Sequence, residues 1–178
     1  LEPDLVAELA RHPNIVAIKE ASGNIGQISR IIEETQDEDF VVISGDDNIT
    51  LPIMALGGVG VISVAANVDP KRMVAMCEAM KHGDYQKALV LHYALAPLLR
   101  AMFIDTNPIP VKKAVELLGM AGGPVRLPLD DLEQKKTEQL KKILATIPKG
   151  ETKSPASKKK PQKTIAGRTK TSKGKRAR

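Results

Sequence analysis

Short apolar runs alternate along the first half of the chain with apolar residues at helical spacing. Three runs, at residues 15–19, 40–43 and 59–64, are too uniformly apolar for strands with one solvated face, and they are typical of strands covered on both sides in a parallel sheet. Between the first two runs, four isoleucines form one helical stripe: Ile25, Ile28, Ile31 and Ile32. The pattern predicts three consecutive strand–helix units.

Local capping signals predict where the helices begin and end. Asn24 is expected to cap the first of these helices, with Gln27 as its partner in the first turn. The second is expected to run from about Ile49 to the glycine pair 57–58, and the dipeptide 69–70, Asp-Pro, to start a third. A terminal helix, ended by Pro148, is expected to contain five apolar residues: Leu129, Leu132, Leu140, Ile143 and Leu144.

Strands and helices that alternate at this spacing imply an α/β fold with a parallel sheet and right-handed crossovers. A (β/α) barrel needs eight such units and has its active site at the C-terminal ends of its strands. Three units therefore predict part of a barrel. The helical stripe of Leu5, Val6 and Leu9 predicts that a further strand precedes the chain. The predicted strand ends, where chemistry is expected, are Lys19 and residues 44–47 and 62–63.

Four segments carry a resemblance to a known family. Residues 18–24 read IKEASGN, 44–47 read SGDD, 57–64 read GGVGVISV and 107–112 read NPIPVK. In this order and spacing they resemble the dihydrodipicolinate synthase (4-hydroxy-tetrahydrodipicolinate synthase) family. The resemblance covers the second half of that enzyme, so the chain is expected to be a fragment that lacks the N-terminal half.

The resemblance implies the C-terminal part of a TIM (β/α)8 barrel. Its last three βα units would occupy residues 1–83, a C-terminal helical region residues 84–147, and a disordered basic tail residues 148–178. It also implies a lyase of the diaminopimelate route to lysine, located in the cytoplasm and homotetrameric when complete. The substrates would be pyruvate and aspartate semialdehyde, and no cofactor or metal is implied.

Lys19 is the catalytic residue that the resemblance implies, because only a lysine amine can form a Schiff base with the ketone of pyruvate. The backbone at Gly45 and the carbonyl of Ile62 would contact the bound pyruvate. For each residue a purely structural interpretation stands beside the functional one. Lys19 would then be a surface lysine paired with Glu20 or a neighbouring carboxylate. Gly45 would permit a tight turn, and Ile62 would be a packed side chain.

The family motifs of the first half are not found in this sequence. They are a Gly-Thr-Thr-Gly-Glu type segment, which holds the substrate carboxylate, and a tyrosine that relays protons. Tyr85 and Tyr93 follow the last predicted strand in a helical stretch, so neither is expected to be that relay. An N-acetylneuraminate lyase or a keto-deoxy-sugar aldolase shares the lysine and the barrel and stays an alternative. The segments 57–64 and 107–112 favour the synthase.

Other polar residues have simpler interpretations. Adjacent carboxylates at Asp46 and Asp47 are possible metal ligands, but no further ligand stands at a useful spacing, and one of the two is expected to cap a helix. Pro110 is expected at the first position of a helix. His12 and His82 are expected at helix ends, His92 on a helix surface or in packing, and Cys77 as a packed thiol.

The charge of the chain is concentrated at its end. Residues 149–178 carry 12 Lys and Arg side chains against one acid, Glu151, within a total net charge of +6. No apolar stripe occurs there, which predicts disorder. A non-enzymatic alternative is an inactive fragment whose basic tail binds nucleic acid, although no aromatic residues interleave the charges for base stacking. No apolar run is long enough to span a membrane.

Overall fold

Two short parallel strands lie at the centre of the fold in the computed structural model, which describes residues 1–147. Strand β1 (Ala17–Glu20) pairs with β2 (Val41–Ser44), in a register that opposes Lys19 to Ile43. Both strands are confirmed where the apolar runs predicted them, displaced by one or two residues. Parallel pairing brings the carboxyl ends of both strands to the same edge of the sheet.

The predicted third strand at residues 59–64 is wrong as a regular strand. The segment runs parallel to β2, and the backbone nitrogens of Val59 and Ile62 donate to the carbonyls of Val42 and Ser44 at 3.0 and 2.9 Å. Only one bridge forms, between Ser44 and Val61. Within residues 1–147 the segment pairs with β2 on one side and with no strand on the other. The chain then enters a short 3-10 helix (Ala65–Asn67), and the pairing ends there.

The helices of the first half begin and end where the capping signals predicted. The elements are α1 (Pro3–Ala10), α2 (Ile25–Glu34), a 3-10 turn (Asp47–Ile49), α3 (Thr50–Leu56) and α4 (Pro70–Lys81). The Asn24 side chain accepts from the backbone nitrogen of Gln27 at 3.1 Å, and Asp69 caps α4 in the same way. Gly57 ends α3 with φ of 119°, a left-handed conformation that side chains other than glycine rarely adopt.

Three further helices complete the described chain: α5 (Tyr85–Ala101), α6 (Ile109–Leu117) and α7 (Gln134–Ala145). The terminal helix therefore begins later than predicted. Leu129 and Leu132 precede α7 in non-helical chain, yet Leu132 is buried. The hydroxyl of Thr137 donates to the Leu132 carbonyl, which ties this segment to the first turn of α7. Pro148 and the basic tail lie outside the described residues.

Two clusters of buried apolar side chains hold residues 1–147 together as one unit. The first joins the strands to the surrounding helices through residues that include Val6, Ile28, Ile31, Val42 and Ile53. The second lies among α4, α5, α6 and α7 and is rich in methionine and leucine. Val61 and Val64, from the segment beside β2, pack against the second cluster, which also contains buried residues of α6.

Candidate functional site

Lys19 is the third residue of β1, and its side chain is exposed. Glu20 follows on the opposite face of the strand and is buried, and its Oε1 accepts from the backbone nitrogen of Ser22 at 2.6 Å. None of the ion pairs between residues 1–147 includes Lys19. Lys19 is therefore a surface lysine, as the alternative interpretation expected, but it has no ion pair with Glu20 or with another carboxylate of the described chain.

Gly45 lies against the side chain of Lys19. A Cβ at Gly45 would stand 2.8 Å from Cε of Lys19 and 2.7 Å from Cβ of Ala21. Real Cβ atoms do not approach other carbons so closely, so the position requires a residue without a side chain. The Gly45 nitrogen donates to the Glu20 carbonyl at 2.7 Å, which fixes the turn after β2 beside the end of β1.

Lys19 and Ile62 line one open cleft of about 410 Å³. The Ile62 side chain is half exposed, and its backbone nitrogen is bonded to the Ser44 carbonyl, so the sheet edge sets the position of the main chain here. Gly45 is not among the lining residues and instead lies behind the Lys19 side chain. The structure thus brings all three predicted site residues to the same edge of the sheet.

The other lining residues come from distant parts of the chain. Their polar members are Ser63, Asn67, Asn107 and Lys112, and their apolar and small members are Val64, Pro108, Val111, Val115, Ala121 and Gly122. No carboxylate lines the cleft within the described chain. Residues 107–112 form a motif to which no role was assigned from the sequence. Neither Lys112 nor Asn67 was predicted to line the cleft.

Asp47 holds the segment that follows Ile62. Its side chain is buried, and Oδ2 accepts from the backbone nitrogens of Val64 and Ala65 at 3.1 and 2.9 Å. Oδ1 has no hydrogen-bond partner among the described residues. Asp46 caps the preceding 3-10 turn, where its Oδ1 accepts from the Asn48 nitrogen at 2.8 Å, whereas α3, the helix that was expected to be capped, has no side-chain cap. The function of Asp47 as a link between two loops was not predicted.

The remaining candidates do not line the cleft. Pro110 is the second residue of α6, one position later than predicted. His82 caps the end of α4, with Nδ1 2.7 Å from the Glu78 carbonyl. Tyr85 and Tyr93 are exposed on α5, and neither lines the cleft. Within residues 1–147 no three potential ligand side chains come together as a metal site.

Two half-buried side chains on α4 and α5 have shifted pKa values. Cys77 is half-buried in α4, and burial raises the pKa of its thiol, with a smaller contribution from the charge of Glu78. His92 is half-buried in α5, and burial lowers the pKa of its imidazole. Its Nδ1 has no hydrogen-bond partner within the described chain. Both residues are thus partly packed against the helices around them.

Among the helices of residues 1–147, none is both long enough and apolar enough to cross a bilayer.

Comparison with known proteins gives one consistent family. The sequence model of the dihydrodipicolinate synthetase family matches residues 1–147. A 4-hydroxy-tetrahydrodipicolinate synthase from Methanoculleus marisnigri is 78% identical over 144 residues, which cover 81% of this chain and 50% of that protein. The corresponding protein from Methanosphaerula palustris is 68% identical over 146 residues, covering 82% of this chain and 50% of its own length.

Solved structures agree with the sequence comparison. Dihydrodipicolinate synthase from Aquifex aeolicus superimposes with a TM-score of 0.78 at 43% identity, covering 81% of this chain and 49% of that one. The enzyme from Thermotoga maritima gives a TM-score of 0.78 at 42% identity and covers 80% and 50%. The chain therefore spans about half the length of the curated relatives and TIM-barrel structures that it matches.

Proposed function

Because this chain belongs to the dihydrodipicolinate synthetase family, we propose that it carries the Schiff-base centre of a 4-hydroxy-tetrahydrodipicolinate synthase. The observation that carries the proposal is the position of Lys19. Its amine-bearing side chain lies at the carboxyl edge of a parallel sheet, and it lines a cleft in which the described chain offers no carboxylate to pair with it.

In the proposed reaction, the unprotonated Lys19 amine attacks the ketone carbon of pyruvate, and water leaves to give an iminium. The iminium accepts the electron pair of a methyl C–H bond as that proton departs, which produces an enamine. The enamine carbon then attacks the aldehyde of aspartate semialdehyde. Finally, the amine of the condensed chain displaces Lys19 as the ring closes, so the lysine is released unchanged.

Gly45 and Ile62 have backbone roles in this proposal. Gly45 leaves room for the stem of Lys19, which a side chain at this position would displace. Ile62 presents its main chain to pyruvate in the cleft, and the hydrogen bond from its nitrogen to Ser44 supports that position. Asp47 stabilises the same segment, because its side chain accepts hydrogen bonds from the backbone nitrogens of Val64 and Ala65.

The assembly is part of the proposal. Residues 1–83 would form the last units of a (β/α)8 barrel, with the segment at 59–62 beside β2 as the third, and residues 84–147 would form the helical region that follows. The complete enzyme would be a cytoplasmic homotetramer. This chain would contribute the half that carries the nucleophile, since its relatives are twice as long.

The proposed function is tested by measuring the condensation of the two substrates in two parallel experiments. The chain is incubated with pyruvate and aspartate semialdehyde, alone and together with a polypeptide that has the first half of the Methanoculleus marisnigri relative, and the product is measured by mass spectrometry. Product that requires Lys19, judged with Lys19→Met, supports the proposal. Absence of product in both arms contradicts it. Turnover with N-acetylmannosamine in place of the semialdehyde would favour an N-acetylneuraminate lyase instead.

A further inference from the structure

We propose that Lys112 is a carboxylate-binding residue of the cleft that contains Lys19. The inference rests on the proposed function, because it assigns a second charged contact to the same substrates. Lys112 belongs to α6 and lies far from Lys19 in sequence, yet both line the same cleft. Lysine ammonium groups are common partners of carboxylate and phosphate groups.

The surroundings of Lys112 place it at the edge of the cleft. Val111 and Ala114 are buried on either side of it and hold α6 against the core, while Lys112 itself is half-buried. A Cβ at Gly123 would stand 3.9 Å from Nζ of Lys112. Because the two residues before Gly123 line the cleft, this distance places the ammonium group beside the cleft wall.

The charge balance of the cleft favours an anion. Two lysines line it, and no carboxylate of the described chain does. None of the ion pairs between residues 1–147 includes Lys112, whereas Nζ of the adjacent Lys113 lies 2.8 Å from Glu116. A cleft lined by lysine side chains and by no described carboxylate attracts anionic ligands.

Neutral groups complete an environment suited to a carboxylate. The hydroxyl oxygen of Ser63 accepts from the Ala66 nitrogen at 2.9 Å, so its proton is available for donation. Asn107 lines the cleft from the segment that precedes α6, and its side-chain amide is a further donor. The carboxylate could come from pyruvate or from aspartate semialdehyde, and the experiment separates these two sources.

The variant Lys112→Gln removes the positive charge from the cleft. Lys113→Gln is the matched control, because the same substitution is made at the next residue, whose side chain does not line the cleft. In the condensation assay we expect Lys112→Gln to raise the half-saturating concentration of one substrate by about tenfold or more. The half-saturating concentration of the other substrate should change by less than about threefold. The substrate whose half-saturating concentration rises is the one whose carboxylate Lys112 binds. Lys112→Arg should recover most of the loss, and Lys113→Gln should have an effect below about twofold.

A titration with malonate, a dicarboxylate without a ketone, separates this inference from the Schiff-base proposal. Backbone amide shifts of the 15N-labelled chain are followed as malonate is added. Saturable shifts at Ala121 and Gly122 that disappear in Lys112→Gln and persist in Lys113→Gln support the inference, even if no condensation occurs. Equal behaviour of the two glutamine variants, in turnover or in malonate binding, would overturn it.

Discussion

The side chain of Lys19 packs directly against the backbone of Gly45, at the edge where β1 and β2 end together. A Cβ at Gly45 would lie 2.8 Å from Cε and 3.1 Å from Cγ of Lys19. The missing side chain therefore sets the path that the lysine stem takes toward the cleft. Gly45 is thus part of the site because it has no side chain, although it does not itself line the cleft.

Gly45→Ala is expected to displace the Lys19 side chain. The added methyl group would also meet Cβ of Ala21, so overpacking should lower the free energy of unfolding by about 1–3 kcal/mol. The displaced amine should react with pyruvate about tenfold to hundredfold more slowly, because misplacement of a reacting group by about 1 Å has costs of that order. The rate of iminium formation is measured by reducing samples with borohydride at successive times after pyruvate is added. Thermal unfolding measures the stability of the variant.

Gly60→Ala is the matched control, because a Cβ at Gly60 would have no heavy atom within 4 Å and Gly60 is not among the residues of the Lys19 cleft. This variant should retain the rate and the stability of the unaltered chain. If Gly60→Ala lost as much reaction rate and stability as Gly45→Ala, the close approach of Gly45 to Lys19 would not be the cause of the loss.

Asp47→Ala is expected to loosen the segment after Ile62. The substitution removes both hydrogen bonds that Oδ2 accepts, and bonds to a charged group contribute about 1.5–3 kcal/mol to stability. Asp46→Ala should cost about 1 kcal/mol, the usual effect of losing a helix cap. Urea unfolding of both variants provides the comparison. A cost at Asp46 equal to or above that at Asp47 would contradict this ranking.

His92 should make the fold less stable in mild acid. Burial lowers the pKa of its imidazole, so the folded chain takes up a proton less readily than the unfolded chain, whose histidine titrates near its ordinary value of 6.5. The contribution of the neutral ring to stability is therefore complete above pH 6.5 and is lost as the pH falls from there through the lower folded pKa. Unfolding temperatures of the parent chain and of His92→Gln, compared from pH 8 to pH 5, test this. A difference between them that is independent of pH would refute it.

Cys77 should react slowly with thiol reagents. Burial raises the pKa of this thiol, so little thiolate is present near neutral pH. We expect its reaction with an aromatic disulfide at pH 7.5 to be at least about tenfold slower in the folded chain than in the same chain in urea. Folded and unfolded chains that react at similar rates would show that Cys77 is open to solvent.

Local signals in the sequence predicted most helix boundaries correctly. A cap such as Asn24 or Asp69 acts on backbone groups two or three residues away, so its effect is contained in the neighbouring sequence. Lys19 and Ile62 could also be placed in one site, because the carboxyl ends of parallel segments lie at one sheet edge. These parts of the fold depend on short-range chemistry or on a general rule of topology.

Features that depend on distant neighbours were missed. The run at 59–64 has the composition of a strand, but a strand also needs continuous pairing, and only the bridge between Ser44 and Val61 forms. Leu132 is buried as its apolar character indicated, although the chain there is not helical. Lys112 enters the cleft only through the packing of α6, which no local pattern near Lys19 encodes.

The most direct test of the proposed function is reduction of the purified chain with borohydride in the presence of pyruvate, followed by peptide mass analysis. Reduction converts an iminium into a stable secondary amine, so the modified peptide identifies the nucleophile. The account predicts one adduct, located at Lys19 and absent from Lys19→Met, both in the chain alone and with the first half of a relative added. Adducts spread over several lysines, or none in either folded sample, would contradict it.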